Sequence, residues 1–150
     1  HYVVEALSGN YNLTEFQAAL GISQLSRIDL FIRKRRELVA LYRRLLADID
    51  GIELLSDTLH MQSSHHLFVV LVDFERFKKG RAEVIKQLRE SKIGTQVHYM
   101  PAYSHPICKA LPKKRMEAYF ARALSLPLYF GMESDSIRYV VDHLLQVLHE

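Results

Sequence analysis

The feature that most constrains this chain is a long helical pattern in its N-terminal part. Apolar residues recur there every three or four positions in two adjacent rows, one at Leu13, Phe16, Leu20, Ile28, Phe31, Leu38, Leu41 and Leu45, the other at Leu25, Ile32, Val39 and Leu46. Thr14 and Gln17 have the spacing of a capping box, and Gly51 is a typical residue after a helix end. The pattern predicts one helix from about residue 14 to about residue 48, or two helices with a kink near Gly21.

The rest of the chain alternates short strand patterns with helical ones. Strands are predicted at 52–55, 66–73 and 95–99, and helices at 81–91, at 116–123 and, after a cap at Ser134 or Asp135, as far as residue 149. No internal repeat is present. These elements predict an α+β fold in which a long connecting helix precedes a small sheet with helices on one face.

Composition narrows the class of protein. Hydrophobic residues make up 49% of the chain and charged residues 25%, which is ordinary for a globular domain. No apolar run approaches membrane-spanning length. Cys108 has no second cysteine with which to pair, so we expect a reducing, cytoplasmic setting. The chain begins at His1 rather than methionine, and we expect it to be part of a longer protein.

Two segments carry side chains suited to binding. The turn GNYNLT precedes the long helix, where amide donors and backbone N–H groups can hold a phosphate. Ordinary turn and cap chemistry is the simpler explanation of the same residues. The segment VHYMPAYSHP places His98 and Tyr99 at a predicted strand end and Tyr103 in a proline-stiffened loop. Such loops often carry ligand-binding side chains, and a purely structural role is equally compatible with the pattern.

A basic run and several histidines allow further interpretations. A basic patch on the long helix can bind nucleic acid, and it comprises Arg33, Lys34, Arg35, Arg36, Arg43 and Arg44. Charge runs on long helices are usually solvated faces, and no aromatic platform accompanies this one. The histidines include no helical i, i+4 pair of the kind that zinc sites use. We therefore expect no nucleic-acid partner and no metal site.

The order of several motifs resembles that of one enzyme family. These motifs are GNYNLTEFQAALGISQL, RKRREL, SSHHLFVVLVD, KIGTQVHYMPAY and RALSLPLYFGM. Together they resemble the DegT/DnrJ/EryC1/StrS sugar aminotransferases, which use pyridoxal phosphate in the aspartate-aminotransferase fold (fold type I). Within the family, SSHHLF, GTQVHYMPAY and SHPICKAL are most similar to enzymes that aminate a UDP-linked 4-keto-6-deoxy sugar on the way to pseudaminic acid.

The resemblance implies that this chain is the C-terminal part of such an enzyme. Residues 1–50 would then be the end of the large domain with the inter-domain helix, and 51–150 the small C-terminal domain. The family attaches its cofactor to an upstream lysine in a Ser-x-x-Lys context, and none of the eight lysines here has a serine three residues before it. The acidic partner of the pyridine nitrogen is upstream as well. We therefore expect the chain alone to be inactive.

The resemblance also implies binding residues. It assigns cofactor contacts to Asn10, Tyr11 and Asn12 and substrate contacts to His98, Tyr99 and Tyr103. In the family, the asparagine matching Asn10 reaches the cofactor phosphate of the neighbouring subunit, and a histidine of the second segment can help to hold the carboxylate of the amino donor. Many members carry arginine in place of Asn12 and histidine in place of Tyr103, so the roles of these two residues stay open.

The function implied is amino transfer, from glutamate to a nucleotide-linked keto-sugar, by a homodimer with shared active sites. Residue patterns alone leave an alternative of another class. In that alternative the chain is a non-catalytic α+β interaction module that binds an acidic partner or nucleic acid through the basic helix. A Ser-x-x-Lys motif upstream of His1 would favour the enzyme, and a start codon just before His1 would favour the module.

Overall fold

The fold is a three-stranded antiparallel sheet with helices packed against it, in a computed structural model that describes residues 9, 11–56, 62–108 and 114–150. Its elements in chain order are α1 (Glu15–Leu25), α2 (Ile28–Leu46), β1 (Ile52–Leu54), β2 (Phe68–Val72), α3 (Arg81–Glu90), a 3-10 helix (Ala102–Ser104), α4 (Lys114–Arg122), β3 (Ala123–Leu126) and α5 (Ser134–His149). The predicted α+β class is confirmed. The helices predicted at 81–91 and 116–123 and the strands predicted at 52–55 and 66–73 are confirmed with bounds shifted by one or two residues.

The long helical pattern forms two helices, which separate at Ser26 and Arg27. There the Ser26 hydroxyl donates to the carbonyl of Ser23 at 2.8 Å. Such a side-chain hydrogen bond competes with the backbone hydrogen bonds of a regular helix. Gly21 continues α1 without a break, so the predicted position of the kink is wrong. The two helices are not a packed hairpin, because α1 buries none of its side chains.

The apolar residues of the two helices have different surroundings. At the start of α1 the capping box is confirmed, since Thr14 and Gln17 each accept from the backbone N–H of the other. Phe16 of α1 is nevertheless 83% exposed. The second half of α2 instead belongs to the core, through Leu38, Val39, Leu41, Tyr42 and Leu46. Of these two helices, therefore, only α2 packs into the described core. The predicted domain boundary near residue 50 stays a prediction.

The sheet has β2 in the middle, and different elements pack against its two faces. Phe68, Val70 and Val72 of β2 point into the core that α2, α3 and α5 share. Glu53 of β1 points to the other face, where Arg122 at the end of α4 binds its carboxylate at 2.9 Å. Three helices therefore pack on one face and α4 lies at the other, whereas the sequence predicted helices on one face only.

The segment 95–99 does not form the predicted strand. Gln96 makes one isolated antiparallel bridge with Ser125 of β3, in which the two residues exchange backbone hydrogen bonds of 3.2 and 2.8 Å. Pairing stops there, because Pro101 directs the chain into the 3-10 helix. The prediction was right about the sheet that this segment joins and wrong about the length of the pairing.

The start of α5 also differs from the prediction. Glu133 is the N-cap residue and makes no side-chain cap bond, so the predicted cap at Ser134 or Asp135 is wrong by one or two residues. Asp135 lies in the first turn, where a negative charge interacts favourably with the helix dipole. The buried row of α5 comprises Ile137, Val140, Val141, Leu144, Val147 and Leu148. The helical spacing of the sequence predicts an inward row of Ile137, Val140, Val141, Leu144, Leu145 and Leu148. The structure adds Val147 to this row, and Leu145 is only partly buried.

Tyr42 connects α2 to the sheet and to the loop after β3. Its side chain is fully buried, and its ring stacks on that of Phe68 with centroids 4.6 Å apart. Its hydroxyl donates to the Pro127 carbonyl at 2.9 Å. Burial, and secondly Tyr129, raise the pKa of Tyr42 well above its ordinary value. The phenol therefore stays a hydrogen-bond donor at any pH at which the protein is folded.

We predict that Tyr42→Phe lowers the free energy of unfolding by about 1–2 kcal/mol at pH 8, because it leaves the partly buried Pro127 carbonyl without its donor. Above pH 10 the wild-type phenol ionises only in the unfolded chain, so wild type loses stability relative to Tyr42→Phe by up to about 1.4 kcal/mol per pH unit. Urea unfolding from pH 8 to pH 11 measures this convergence.

The control for this experiment is Tyr139→Phe. Its hydroxyl donates to the Ser91 carbonyl from an exposed position, so its loss should change stability by no more than about 0.5 kcal/mol. A stability difference between wild type and Tyr42→Phe that stays constant from pH 8 to pH 11 would contradict the linkage.

Candidate cofactor and substrate site

The predicted cofactor residues lie just ahead of α1. Asn10 is outside the described residues. Tyr11 is 88% exposed and Asn12 is exposed as well, and the capped first turn of α1 follows directly. A phenol hydroxyl and a carboxamide beside a helix N-terminus are donors of the kind that bind phosphate oxygens. The chemistry of these donors fits the phosphate end of pyridoxal phosphate.

The predicted substrate residues begin at His98, whose ring is held in place by the sheet. Its Nδ1 lies 2.8 Å from the hydroxyl of Ser125, a buried residue of β3. The ring of Tyr99 meets the His98 ring edge to face, with centroids 4.7 Å apart, and is 71% exposed. Ser125 of β3 therefore orients the His98 ring, and the Tyr99 ring beside it is exposed to solvent.

Tyr103 lies in the 3-10 helix that follows Pro101. Desolvation, and secondly the carboxylate of Glu117 on α4, raise the pKa of the Tyr103 phenol. The phenol therefore remains protonated and able to donate at neutral and moderately alkaline pH.

Of the predicted site residues, His98 and Tyr99 contact each other, whereas Tyr11 contacts neither of them. His98 and Tyr99 are in direct contact, and Tyr103 follows in the same loop. We call this segment, residues 98–103, the substrate loop. Within the described ranges, no hydrogen bond, ion pair or ring contact joins Tyr11 to any of these three residues. The contacts of the structure therefore join His98 to Tyr99 and leave Tyr11 outside this group.

Sequence reasoning missed Ser125, the residue that orients His98. A signal for it exists in the sequence, because Ser125 stands between two leucines in the segment LSL. In a strand, alternate residues face opposite sides, so a serine between two core leucines faces the other side of the sheet. Leu124 and Leu126 are indeed buried in the core cluster, and Ser125 points to the face that His98 occupies.

The basic run on α2 is not simply a solvated face. Arg36 donates to the Ser63 carbonyl at 3.0 Å, and Arg43 donates to the Leu55 carbonyl at 2.9 Å. Lys34 lies 3.8 Å from the carboxylate of Glu133. Among the described residues, at least three of the six cations are thus engaged by other parts of the chain. The structure gives this patch a role in holding loops against α2.

A cavity of about 750 Å³ lies between the turn after α3 and the start of α5. Its polar side chains are those of Lys92, Tyr129, Asp135, Ser136 and Tyr139. The Tyr139 hydroxyl donates to the Ser91 carbonyl at 3.2 Å. The predicted site residues that the structure describes do not line it. This cavity was not predicted from the sequence.

No group of three or more His, Cys, Asp or Glu side chains among the described residues is placed to hold a metal ion. No helix in the described part of the chain combines the length and the hydropathy needed to cross a bilayer.

Curated relatives and solved structures resemble nearly the whole chain. It is 33% identical to the spore coat polysaccharide biosynthesis protein SpsC of Bacillus subtilis, over 99% of this chain and 40% of that protein. It is 29% identical to the UDP-4-amino-4,6-dideoxy-N-acetyl-beta-L-altrosamine transaminase of Helicobacter pylori, over 95% of this chain and 39% of that protein. The chain therefore spans about 40% of the length of these relatives.

The fold matches solved sugar aminotransferases. Helicobacter pylori PseC, an aminotransferase involved in the biosynthesis of pseudoaminic acid, superposes with a TM-score of 0.86 at 27% identity, over 97% of this chain and 40% of that one. The PLP form of a Streptococcus pneumoniae protein assigned as a sugar aminotransferase matches with a TM-score of 0.76 at 26% identity, over 91% of this chain and 36% of that one. These matches cover the C-terminal part of a fold type I enzyme.

The family model for the DegT/DnrJ/EryC1/StrS aminotransferases matches residues 1–145. Enzymes of this family depend on pyridoxal phosphate. The match extends over nearly the whole chain and agrees with the sequence motifs, the fold and the relatives described above. This chain belongs to the DegT/DnrJ/EryC1/StrS aminotransferase family.

Proposed function

We propose that this chain is the C-terminal part of an enzyme that transfers an amino group from glutamate to a nucleotide-linked keto-sugar. The family match over residues 1–145 carries the proposal. The Helicobacter pylori relatives, a UDP-sugar transaminase and PseC, support a UDP-linked 4-keto-6-deoxy sugar as the acceptor. When bound, pyridoxal phosphate supplies the electron sink that amino transfer needs.

The proposed role of the N-terminal loop is to bind the cofactor phosphate. Asn10, Tyr11 and Asn12 offer amide and phenol donors immediately before a capped helix. Tyr11 is 88% exposed, and no contact among the described residues joins it to His98 or Tyr99 of this chain. We therefore place this loop in the active site of a neighbouring subunit, so that two subunits complete each site.

The proposed role of His98 is to hold the carboxylate of the amino donor. When the Ser125 hydroxyl donates to Nδ1, the neutral imidazole keeps its proton on Nε2, which can then donate to a carboxylate. The buried position of Ser125 fixes the direction of that donor. Tyr99 stands beside it with an exposed ring and can contact the sugar substrate.

The alternative function, an interaction module with a basic binding helix, finds less support. Lys34 lies near the carboxylate of Glu133, and Arg36 and Arg43 donate to backbone carbonyls, so these three side chains already have partners within this chain. The family match concerns enzymes rather than nucleic-acid-binding modules. The aminotransferase is therefore the function that we propose.

The proposed function predicts that the full-length enzyme moves nitrogen from glutamate to the sugar. Incubation with glutamate labelled with heavy nitrogen and a UDP-linked 4-keto-6-deoxy sugar should give a labelled amino sugar by mass spectrometry. Enzyme without the cofactor is the control. Failure of cofactor-loaded enzyme to label any nucleotide-linked keto-sugar would refute the function.

Residues 1–150 alone should not bind pyridoxal phosphate covalently at one specific lysine. None of the eight lysines has the Ser-x-x-Lys context of the family. Borohydride reduction of the purified chain with the cofactor, followed by peptide mapping, tests this expectation. Scattered weak labelling is expected of exposed amines, whereas stoichiometric labelling of a single lysine would contradict the proposal that the anchoring lysine lies elsewhere.

Asn10→Ala should weaken pyridoxal phosphate binding by the full-length enzyme about ten- to a hundredfold. An amide hydrogen bond to a phosphate is worth about 1.5–3 kcal/mol, and 1.4 kcal/mol is a factor of ten. Stability without the cofactor should change little, because the residue lies in a polar turn of the sequence. Titration of the apoenzyme, followed by cofactor absorbance, measures the affinity.

A mixed dimer tests whether Asn10 acts across the interface. One subunit carries Asn10→Ala and the other lacks the cofactor-binding lysine, at a cofactor concentration that saturates only intact sites. If Asn10 serves the neighbouring subunit, one site combines both defects and the other has neither, so about half of the wild-type activity per dimer returns. An inactive mixture of folded, dimeric subunits would place Asn10 in its own subunit's site.

A further inference from the structure

The cavity between the turn after α3 and the start of α5 combines a buried apolar wall with two charged side chains. Its volume is about 750 Å³. Ile93, Met132 and Val140 line it and belong to the core, so they form its apolar wall. The charged residues of the lining are Lys92, in the turn, and Asp135, on α5. A ligand in this cavity would therefore meet an apolar surface, one cation and one anion.

Hydrogen bonds hold the walls of this cavity in place. The Tyr139 hydroxyl donates to the Ser91 carbonyl at 3.2 Å and so joins α5 to the end of α3. The Met132 N–H donates to the Tyr129 carbonyl at 3.2 Å and closes the turn that leads to α5. The cavity is thus formed before any ligand enters, which lowers the cost of ordering its walls on binding.

Lys92 occupies a backbone position at which glycine is usual. Its φ is 59°, in the left-handed region, and it directly follows Ser91, the C-cap of α3. The N–H groups of Lys92 and Ile93 donate to the carbonyls of Arg89 and Leu88 at 2.9 and 2.8 Å, which is the Schellman pattern of a helix end. A residue with a Cβ is disfavoured there, and strained positions of this kind cluster at binding sites. The conformation therefore favours a role for the Lys92 side chain.

Lys92 and Asp135 are exposed charges of opposite sign on different walls of the cavity. Within the described part of the chain, no ion pair or side-chain hydrogen bond engages either of them. A ligand with a single charge would pair with one of these residues and be repelled by the other. A zwitterion can pair with both, and the apolar wall adds a preference for an apolar side chain.

We propose that this cavity binds an α-amino acid with an apolar side chain. Lys92 binds the carboxylate of the ligand, Asp135 binds its ammonium group, and its side chain packs on Met132 and the neighbouring apolar wall. The inference goes beyond the proposed amino transfer and does not depend on it. All of these groups belong to this chain, and none of them is a predicted cofactor or substrate residue.

The test uses L-leucine as the probe and full-length, cofactor-loaded enzyme in which the methionine methyl groups carry heavy carbon. L-Leucine should shift the methyl NMR signal of Met132, which is identified as the signal missing from Met132→Leu. Isocaproate is leucine without its ammonium group, and isopentylamine is leucine without its carboxylate. Each should bind at least about tenfold more weakly than L-leucine, because each leaves one charged side chain without a partner.

Variants of the two charged residues locate the binding site. Lys92→Gly and Asp135→Asn should each weaken L-leucine binding about tenfold. Lys92→Gly should also fold as stably as wild type, because glycine adopts the left-handed conformation without strain. Lys86→Gln and Asp142→Asn are the matched controls. They remove the same charges at exposed positions of α3 and α5 outside the cavity, and they should leave the affinity unchanged.

Three results would overturn the inference. These are a Met132 signal that does not move up to the solubility limit of L-leucine, a shift with the same affinity in Lys92→Gly and Asp135→Asn as in wild type, and equally tight binding of either singly charged analogue. None of these measurements uses a nucleotide sugar, so they are distinguishable from failure of the proposed function. That function fails only if the enzyme moves no nitrogen to any nucleotide-linked keto-sugar.

Discussion

The structure depends on the burial of the second half of α2 against the sheet, and Tyr42 is the centre of that contact. Its ring stacks on Phe68 of β2, and its hydroxyl holds the Pro127 carbonyl just after β3. One side chain thus connects the helix, the central strand and the loop that leads to α5. A well-packed aromatic ring with a satisfied hydroxyl is a rigid support, because both its apolar body and its polar tip have partners.

The same contact positions the candidate substrate site on the far side of the sheet. Leu124 and Leu126 are fixed in the core with α2, so the intervening Ser125 has to face the other way. Ser125 then orients His98, and His98 supports Tyr99. Contacts with β3 therefore position the substrate loop. Among the described residues, the backbone of this segment joins the sheet through the single bridge between Gln96 and Ser125.

The sequence predicted the elements better than their partners. The spacing of apolar residues identified the helices and the buried strand β2, because a buried helix face requires apolar residues every three or four positions and a buried strand requires a continuous apolar run. It failed at Ser26, where a side-chain hydrogen bond divides the helix, and at 95–99, where strand-forming residues pair only once. For the site, motif resemblance selected His98 and Tyr99, but Ser125 comes from another segment that only the fold brings near.

The two halves of the long helical pattern show why apolar periodicity alone cannot assign a core. Leu38 and Leu46 in α2 are buried, whereas Phe16 and Leu20 in α1 continue the same pattern and remain exposed. Such an apolar face gains stability only when another surface covers it. In the dimer that we propose, this face and the adjoining Tyr11 would lie toward other parts of the enzyme. The cofactor loop would then be positioned by surfaces beyond this chain, and the substrate loop by this chain's own sheet.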